Sequence, residues 1–256
     1  MKATDIFKDK TFIKCLKNNT YDNKGNYIKI FTEKGEIIEK NINKVVYIDC
    51  SNYWITSIEG IYIFKNLETL RLYNNKIKQV PKTIDKLKNL KIINLLNNRI
   101  EELPKEICNL KFLESIYLSY NQIKKLPKEI WNLKNLKVLD LSHNQLQILP
   151  KEIGKLENLK KLNLSFNQIQ ILPKEILKLT MLVKVNLYKA FNLKSLKQNS
   201  FNILQKLEKK NVFGNNSLKY LKKEVYPIFI KKIEEKYQID NVRQIKDNLN
   251  LDNLNF

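Results

Sequence analysis

The chain has 256 residues, 43% of them apolar, and carries 47 Lys and Arg against 26 Asp and Glu, a formal charge of +21. This apolar share fits a globular chain and excludes a disordered, charge-expanded one. No stretch reaches the roughly 18 apolar residues of a membrane-spanning helix, and Met1–Lys10 lacks the apolar core of a secretory leader, so a cytoplasmic location is expected.

In chain order, residues 4–18 carry a weak helical pattern through Ile6, Phe7, Ile13 and Leu16. Tyr27–Phe31 and Glu36–Glu39, joined through Lys34-Gly35, read as a hairpin. Together, residues 1–43 are expected to cap the segment that begins at residue 44, because a stack of strands otherwise ends in a bare edge.

From there a block of 23 residues recurs, cleanest in Leu126–Leu149 and Leu149–Leu172. Asparagines stand at 75, 98, 121, 144 and 167. Each is preceded by a pair of apolar residues two apart (Leu70 and Leu72, Ile93 and Leu95, Ile116 and Leu118, Leu139 and Leu141, Leu162 and Leu164). An apolar-Pro pair comes after each one, from Val80-Pro81 to Leu172-Pro173. A fixed period in the twenties means stacked coils, each unable to close a core alone. The apolar pairs are expected in short inward-facing strands. The proline is expected to open a short helical turn through Lys-Glu-Ile, with the Lys-Glu pair on a solvated convex face.

The pattern L-P-x-x-I-x-x-L-x-x-L-x-x-L-x-L-S-x-N resembles the leucine-rich repeats of bacterial-type and Ras-adaptor-like proteins. The resemblance implies an α/β fold: a right-handed solenoid with a parallel β-sheet on the concave face and short helices or turns on the convex face. It also implies that each repeat asparagine is structural, bonding backbone groups of the turn after its strand. The solenoid is expected over residues 44–226 as about eight coils, regular over 66–180. Val46, Ile48, Asn52, Ile55 and Ile58 form a stretched first coil. Ala190 stands at the asparagine site of a late coil, and Phe213–Val225 reads as the last copy. Residues 227–256 are expected to hold a capping helix, from Pro227 to Tyr237, and a polar tail, partly disordered over 247–256.

Cys15, Cys50 and Cys108 lack the paired spacing of a zinc or redox motif and are expected to be reduced thiols. Cys108 takes the outward-leaning position filled by Trp131, Gly154 and Leu177 in other repeats. The positive charge is spread along the chain and is nearly all lysine; the arginines are Arg71, Arg99 and Arg243. A compositional bias explains this better than phosphate recognition, which leans on arginine forks.

Residues between the inward leucines are expected to face out on the concave side. One column runs Arg71, Asn94, Tyr117, Asp140, Asn163, Asn186. A second runs Tyr73, Leu96, Ser119, Ser142, Ser165, Tyr188, and a third runs Asn74, Asn97, Tyr120, His143, Phe166, Lys189. Clustered aromatics on a rigid sheet have the composition of an interface hot spot. The candidate partner-binding residues are therefore Arg71, Tyr73, Asn94, Tyr117, Tyr120, Asp140, His143, Asn163, Phe166 and Tyr188. With a single histidine and no phosphate-binding glycine loop, no catalytic set, metal site or cofactor is expected. The expected function is a monomeric, non-enzymatic scaffold for a protein partner. The alternative is a basic surface for nucleic acid or anionic membrane.

Overall fold

The computed structural model describes residues 1–237. The chain opens with helices α1 (Ala3–Ile6) and α2 (Lys10–Leu16), strand β1 (Thr20–Tyr21) and helix α3 (Glu39–Ile42). Between β1 and α3, Phe31 and Ile37 bridge antiparallel across a turn at residues 33–35, where the amide of Gly35 donates to the Thr32 carbonyl. Seven three-residue strands then succeed one another, the first step 22 residues and the others 23: β2 (Tyr47–Asp49), β3 (Thr69–Arg71), β4 (Ile92–Asn94), β5 (Ser115–Tyr117), β6 (Val138–Asp140), β7 (Lys161–Asn163) and β8 (Lys184–Asn186). They pair in chain order, all parallel, with β1 antiparallel on the outer edge of β2. The register is one residue per coil without slip, Ile48–Leu70–Ile93–Ile116–Leu139–Leu162–Val185. An inward column of buried branched side chains results, each contributing roughly 1.5–3 kcal/mol on burial.

The convex side is built from 3-10 turns at Lys82–Lys86, Lys105–Asn109, Lys128–Asn132, Lys151–Lys155 and Lys174–Lys178. Each proline sits one residue ahead of its turn in extended backbone, with φ −67° at Pro81 and −75° at Pro150, rather than inside the first helical turn. Five residues between proline and the next leucine leave no room for an α-helix, and the tighter turn is the short form available.

The repeat asparagines are buried and link coils. Asn98 Nδ2 donates to Leu72 O of the coil before (2.9 Å) and to Leu95 O of its own (3.1 Å), while its Oδ1 accepts from Ile77 N (3.0 Å). Asn121, Asn144 and Asn167 repeat this set. At Ala190 a backbone carbonyl substitutes, accepting from Ile169 N at 2.9 Å.

Three expectations change. Cys15 and Cys50 are not reduced thiols: they form a disulfide, both sulfurs fully buried, across 35 residues. Cys50 fills the inward site that Leu72 fills one coil later, and α2 lies across the open end of the core, so two cysteines far apart in sequence meet. The cysteine support for a cytoplasmic location is lost with them, since disulfides persist in oxidising surroundings. Second, only Phe213 of the last copy joins the sheet side, bridging Val185. The chain forms α4 (Asn199–Lys209) ahead of it. Beyond it, α5 (Asn215–Tyr220), a π-helical turn (Leu221–Val225) and α6 (Tyr226–Tyr237) run on as one helix. With Lys222 where other coils have proline, nothing stops the helix there. Third, the position of Cys108 packs against the core rather than leaning outward: Trp131 is buried there, Cys108 and Leu177 are partly buried, and a Cβ added at Gly154 would lie 2.8 Å from Glu175 O. Burial, with smaller contributions from Glu129 and Glu106, pushes the Cys108 thiol up to about 12, so it is inert. The tail at 247–256 lies outside the described residues.

The first coil and the residues ahead of it are locked together by Asp9. Its Oδ1 caps α2 by accepting from Thr11 N (2.7 Å) and Phe12 N (3.1 Å). Its Oδ2 accepts from Thr56 N (2.6 Å), Thr56 Oγ1 (2.7 Å) and Ser57 N (3.2 Å). Burial works to raise the Asp9 pKa, but these bonds together hold it below the usual value. At the same junction Gly60 has φ +94°, and a Cβ there would lie 2.6 Å from Phe7 and 2.7 Å from Ile6.

Candidate protein-binding surface

The three outward columns have different fates. In the first, the side-chain oxygens are committed to the turn after each strand. Asn94 Oδ1 accepts from Leu96 N (3.0 Å), Asp140 Oδ1 from Ser142 N (3.0 Å) and Oγ (2.7 Å), and Asn163 Oδ1 from Ser165 N (3.2 Å) and Oγ (2.8 Å). Short side chains that cap the backbone two residues on are turn formers, so these three positions are structural at their oxygens. Tyr117 stands between Asn94 and Asp140 in the same row, half-exposed.

The second column turns away from solvent in the middle of the sheet: Ser119, Ser142 and Ser165 are buried, with Ser119 only 2% exposed. Tyr73 and Tyr188 remain half-buried at its two ends. Arg71 lies at the first end too, 3.9 Å from Asp49 and over the Tyr47 ring. Four coil steps of about 4.8 Å place Arg71 and Tyr73 roughly 20 Å from Phe166 along the sheet.

The third column is where the rings gather. Every residue in it has a left-handed backbone: Asn74 (φ 55°), Asn97 (52°), Tyr120 (56°), His143 (50°), Phe166 (52°) and Lys189 (50°), preceded by Asn52 (66°). In the first coils asparagine fills the site and forms a ladder, Asn97 to Asn74 and Asn74 to Asn52, each Nδ2···Oδ1 distance being 2.8 Å. In the next three coils, rings replace it. Tyr120 stacks on His143 with centroids 3.9 Å apart, and His143 on Phe166 at 4.1 Å. Tyr188 meets Phe166 edge-on at 5.3 Å and Tyr220 at 5.7 Å. Lys189 Nζ lies 5.9 Å from the Phe166 ring. Tyr120 stays 52% exposed and Phe166 38%. Burial lowers the His143 pKa against an opposing pull from Asp140, so the ring is neutral at pH 7.

Of the ten candidates, then, Tyr120, His143, Phe166 and Tyr188 are brought into one cluster. Tyr117 flanks it, Asn94, Asp140 and Asn163 cap turns, and Arg71 and Tyr73 sit apart. A second feature escaped the column reading. Ile148, 63% exposed, separates two clefts of about 740 and 670 Å³ on the convex side, one of them walled by Ile171, Leu177 and Ile203. The signal was present: Gln79, Glu102 and Lys125 hold the equivalent site in earlier coils, and only Ile148 and Ile171 are apolar.

Models of the leucine-rich repeat match residues 66–87, 88–146 and 113–169. Residues 66–169 are leucine-rich repeats. Among solved structures, it is similar to an internalin from Listeria monocytogenes, with a TM-score of 0.52 and 17% identity over 71% of this chain and 56% of that one. A leucine-rich repeat protein of Leptospira interrogans aligns with 26% identity over 73% of this chain and 60% of that one, at a TM-score of 0.42. The chain thus spans little more than half the length of either. No curated protein sequence matches it. Leucine-rich repeat folds generally serve as protein–protein interaction scaffolds, through the extended concave surfaces that stacking produces. Among the described residues, no helix is long and apolar enough to cross a membrane.

Proposed function

We propose that the chain is a non-enzymatic scaffold that binds a protein partner on its concave sheet, with the Tyr120–His143–Phe166 stack at the centre of the contact. The observation that carries this reading is the choice of residue at the left-handed site. The backbone there is the same in every coil, and asparagine fits it and forms its own ladder in the first coils. A ring at that site costs about 1–2 kcal/mol of backbone strain, and a ring pair returns about 0.5–1.5 kcal/mol. Three rings thus cost about 3–6 kcal/mol and their two stacked pairs return about 1–3 kcal/mol, so stability does not account for three consecutive rings, two of them solvent-exposed. Exposed aromatics held rigid on a sheet are what a partner desolvates most profitably.

The stack also weighs against the nucleic-acid alternative. Bases dock on open ring faces, and here both faces of His143 and one face each of Tyr120 and Phe166 are taken up within the stack. The test is to replace Tyr120, His143 and Phe166 together by asparagine, which extends the existing ladder. Affinity capture of the native partner is expected to be lost, with stability equal to or above that of the parent. The control triple Lys128→Ala, Lys151→Ala and Lys174→Ala, on the convex face, is expected to retain capture. Loss in the convex triple with retention in the asparagine triple would refute the reading.

A further inference from the structure

Charge is not handled evenly along the concave side. The residue just before each strand forms a row, and in the first coils the row neutralises itself. Lys91 pairs with Glu68 at 2.8 Å and Lys137 with Glu114 at 2.8 Å. On the adjoining row Arg71 lies 3.9 Å from Asp49. On the convex side the lysine after proline is followed at once by glutamate in four of five coils, from Lys105-Glu106 to Lys174-Glu175, Lys82 being followed by Thr83. At β7 and β8 the pattern breaks. Lys160, Lys161 and Lys184 are exposed and have no acidic partner among the described residues. Lys161 and Lys184 stand directly opposite each other in the sheet register, an arrangement that is destabilising for like charges.

The neighbouring polar groups have the same sense. Asn163 Oδ1 is taken by Ser165, and Asn186 Oδ1 by Tyr188 N (3.1 Å) and Ser217 Oγ (2.9 Å). Their Nδ2 groups are left as donors without a partner among the described residues. Lys189 adds a further ammonium beside Phe166 and Tyr188. Over two coils the surface therefore offers mainly donors and positive charge, the Asp140 carboxylate lying opposite Asn163 one strand away, next to ring edges whose rim is also the positive part of the ring.

From this we infer that the end of the concave sheet around β7 and β8 receives an acidic segment of the protein partner, whose carboxylates are met by Lys160, Lys161 and Lys184 while apolar groups of the same segment lie against the ring column. The inference rests on the concave-face reading above and adds the chemistry of the partner. A carboxylate-bearing peptide fits better than nucleic acid for two reasons. The patch spans two coils, roughly 5–10 Å, which meets a few carboxylates but does not track a phosphate backbone. Phe166 beside it already has one face stacked on His143 and meets Tyr188 edge-on, which leaves little room for a base.

The test uses a fluorescein-labelled twelve-residue peptide of alternating glutamate and tyrosine, read by anisotropy in about 0.15 M salt, near physiological ionic strength. Lys160→Gln, Lys161→Gln and Lys184→Gln together are expected to weaken binding about tenfold or more, since several desolvated charge pairs are lost. The triple Lys105→Gln, Lys128→Gln and Lys151→Gln removes the same net charge from the convex face and is expected to change it less than about twofold, because exposed distant charges are screened. Equal weakening by both triples would reduce the effect to net charge and overturn the inference. Random duplex DNA bound more tightly than the peptide, and weakened by the same concave triple, would reassign the patch to nucleic acid. If the peptide fails to bind while the asparagine triple still abolishes capture of the native partner, the acidic chemistry falls and the concave-face reading stands.

Discussion

Asn144 joins two coils through one amide. Its Nδ2 donates to Leu118 O (2.9 Å) and Leu141 O (3.1 Å), and its Oδ1 accepts from Ile123 N (2.9 Å), all buried. Replacing it by alanine strands a buried N–H and carbonyls that no water reaches, so Asn144→Ala is expected to cost about 1–3 kcal/mol. Lys151→Ala, on the exposed convex face, is expected to stay within about 0.5 kcal/mol. Urea midpoints measure both, and equal midpoints would mean that the asparagine is not the bridge. At this scale the period made the structural residues legible: a residue that recurs every 23 positions beside buried leucines has to satisfy the turn. The outward columns were less legible. Alternation told inward from outward inside the three-residue strand, but it did not reveal that the chain turns immediately after it. That turn buries Ser119, Ser142 and Ser165 and moves the third column into left-handed backbone. It also engages Asn94, Asp140 and Asn163 as caps, which only the hydrogen-bond partners disclose.

The elements at the two ends solve one problem by different means. A solenoid leaves a raw core and a strand edge at each end. At the first end, β1 covers the edge of β2 and α2 covers the core, tied on by the Cys15–Cys50 disulfide, the five bonds to Asp9 and the close approach at Gly60. At the other, α4 and the long helix from Asn215 pack Phe201 against Tyr226 and Phe229. A link across 35 residues restricts the unfolded chain by about 3–4 kcal/mol. Thermal unfolding in reductant is therefore expected several degrees lower than without it, and the double variant Cys15→Ser, Cys50→Ser is expected to show no such shift. Acid acts on the same junction. The Asp9 carboxyl titrates below its unfolded value of about 3.9, so its contribution is fully present above that pH and is lost as pH falls through the lower folded value. Asp9→Asn is expected to flatten the acid limb of stability, tracked by unfolding midpoints between about pH 5 and 2. That both ends would be capped was legible, but the disulfide, the carboxylate cap and the crowded glycine were not, because they are contacts between segments that no local spacing records.

For the whole molecule, repetition separates what the fold needs from what it leaves free. The inward columns, the asparagine bridges and the 3-10 turns are the same from coil to coil. The ring column, the lysines at β7 and β8 and the apolar site at Ile148 are where coils differ, and a stack of near-identical units has no folding reason to differ there. The central claim is that the concave ring column faces the partner, and photocrosslinking in the source cell tests it most directly. A benzoylphenylalanine at Tyr117, beside the stack, is expected to give a discrete adduct with one partner protein, and the same probe at Lys128 on the convex face none. An adduct from Lys128 with none from Tyr117 would contradict that claim.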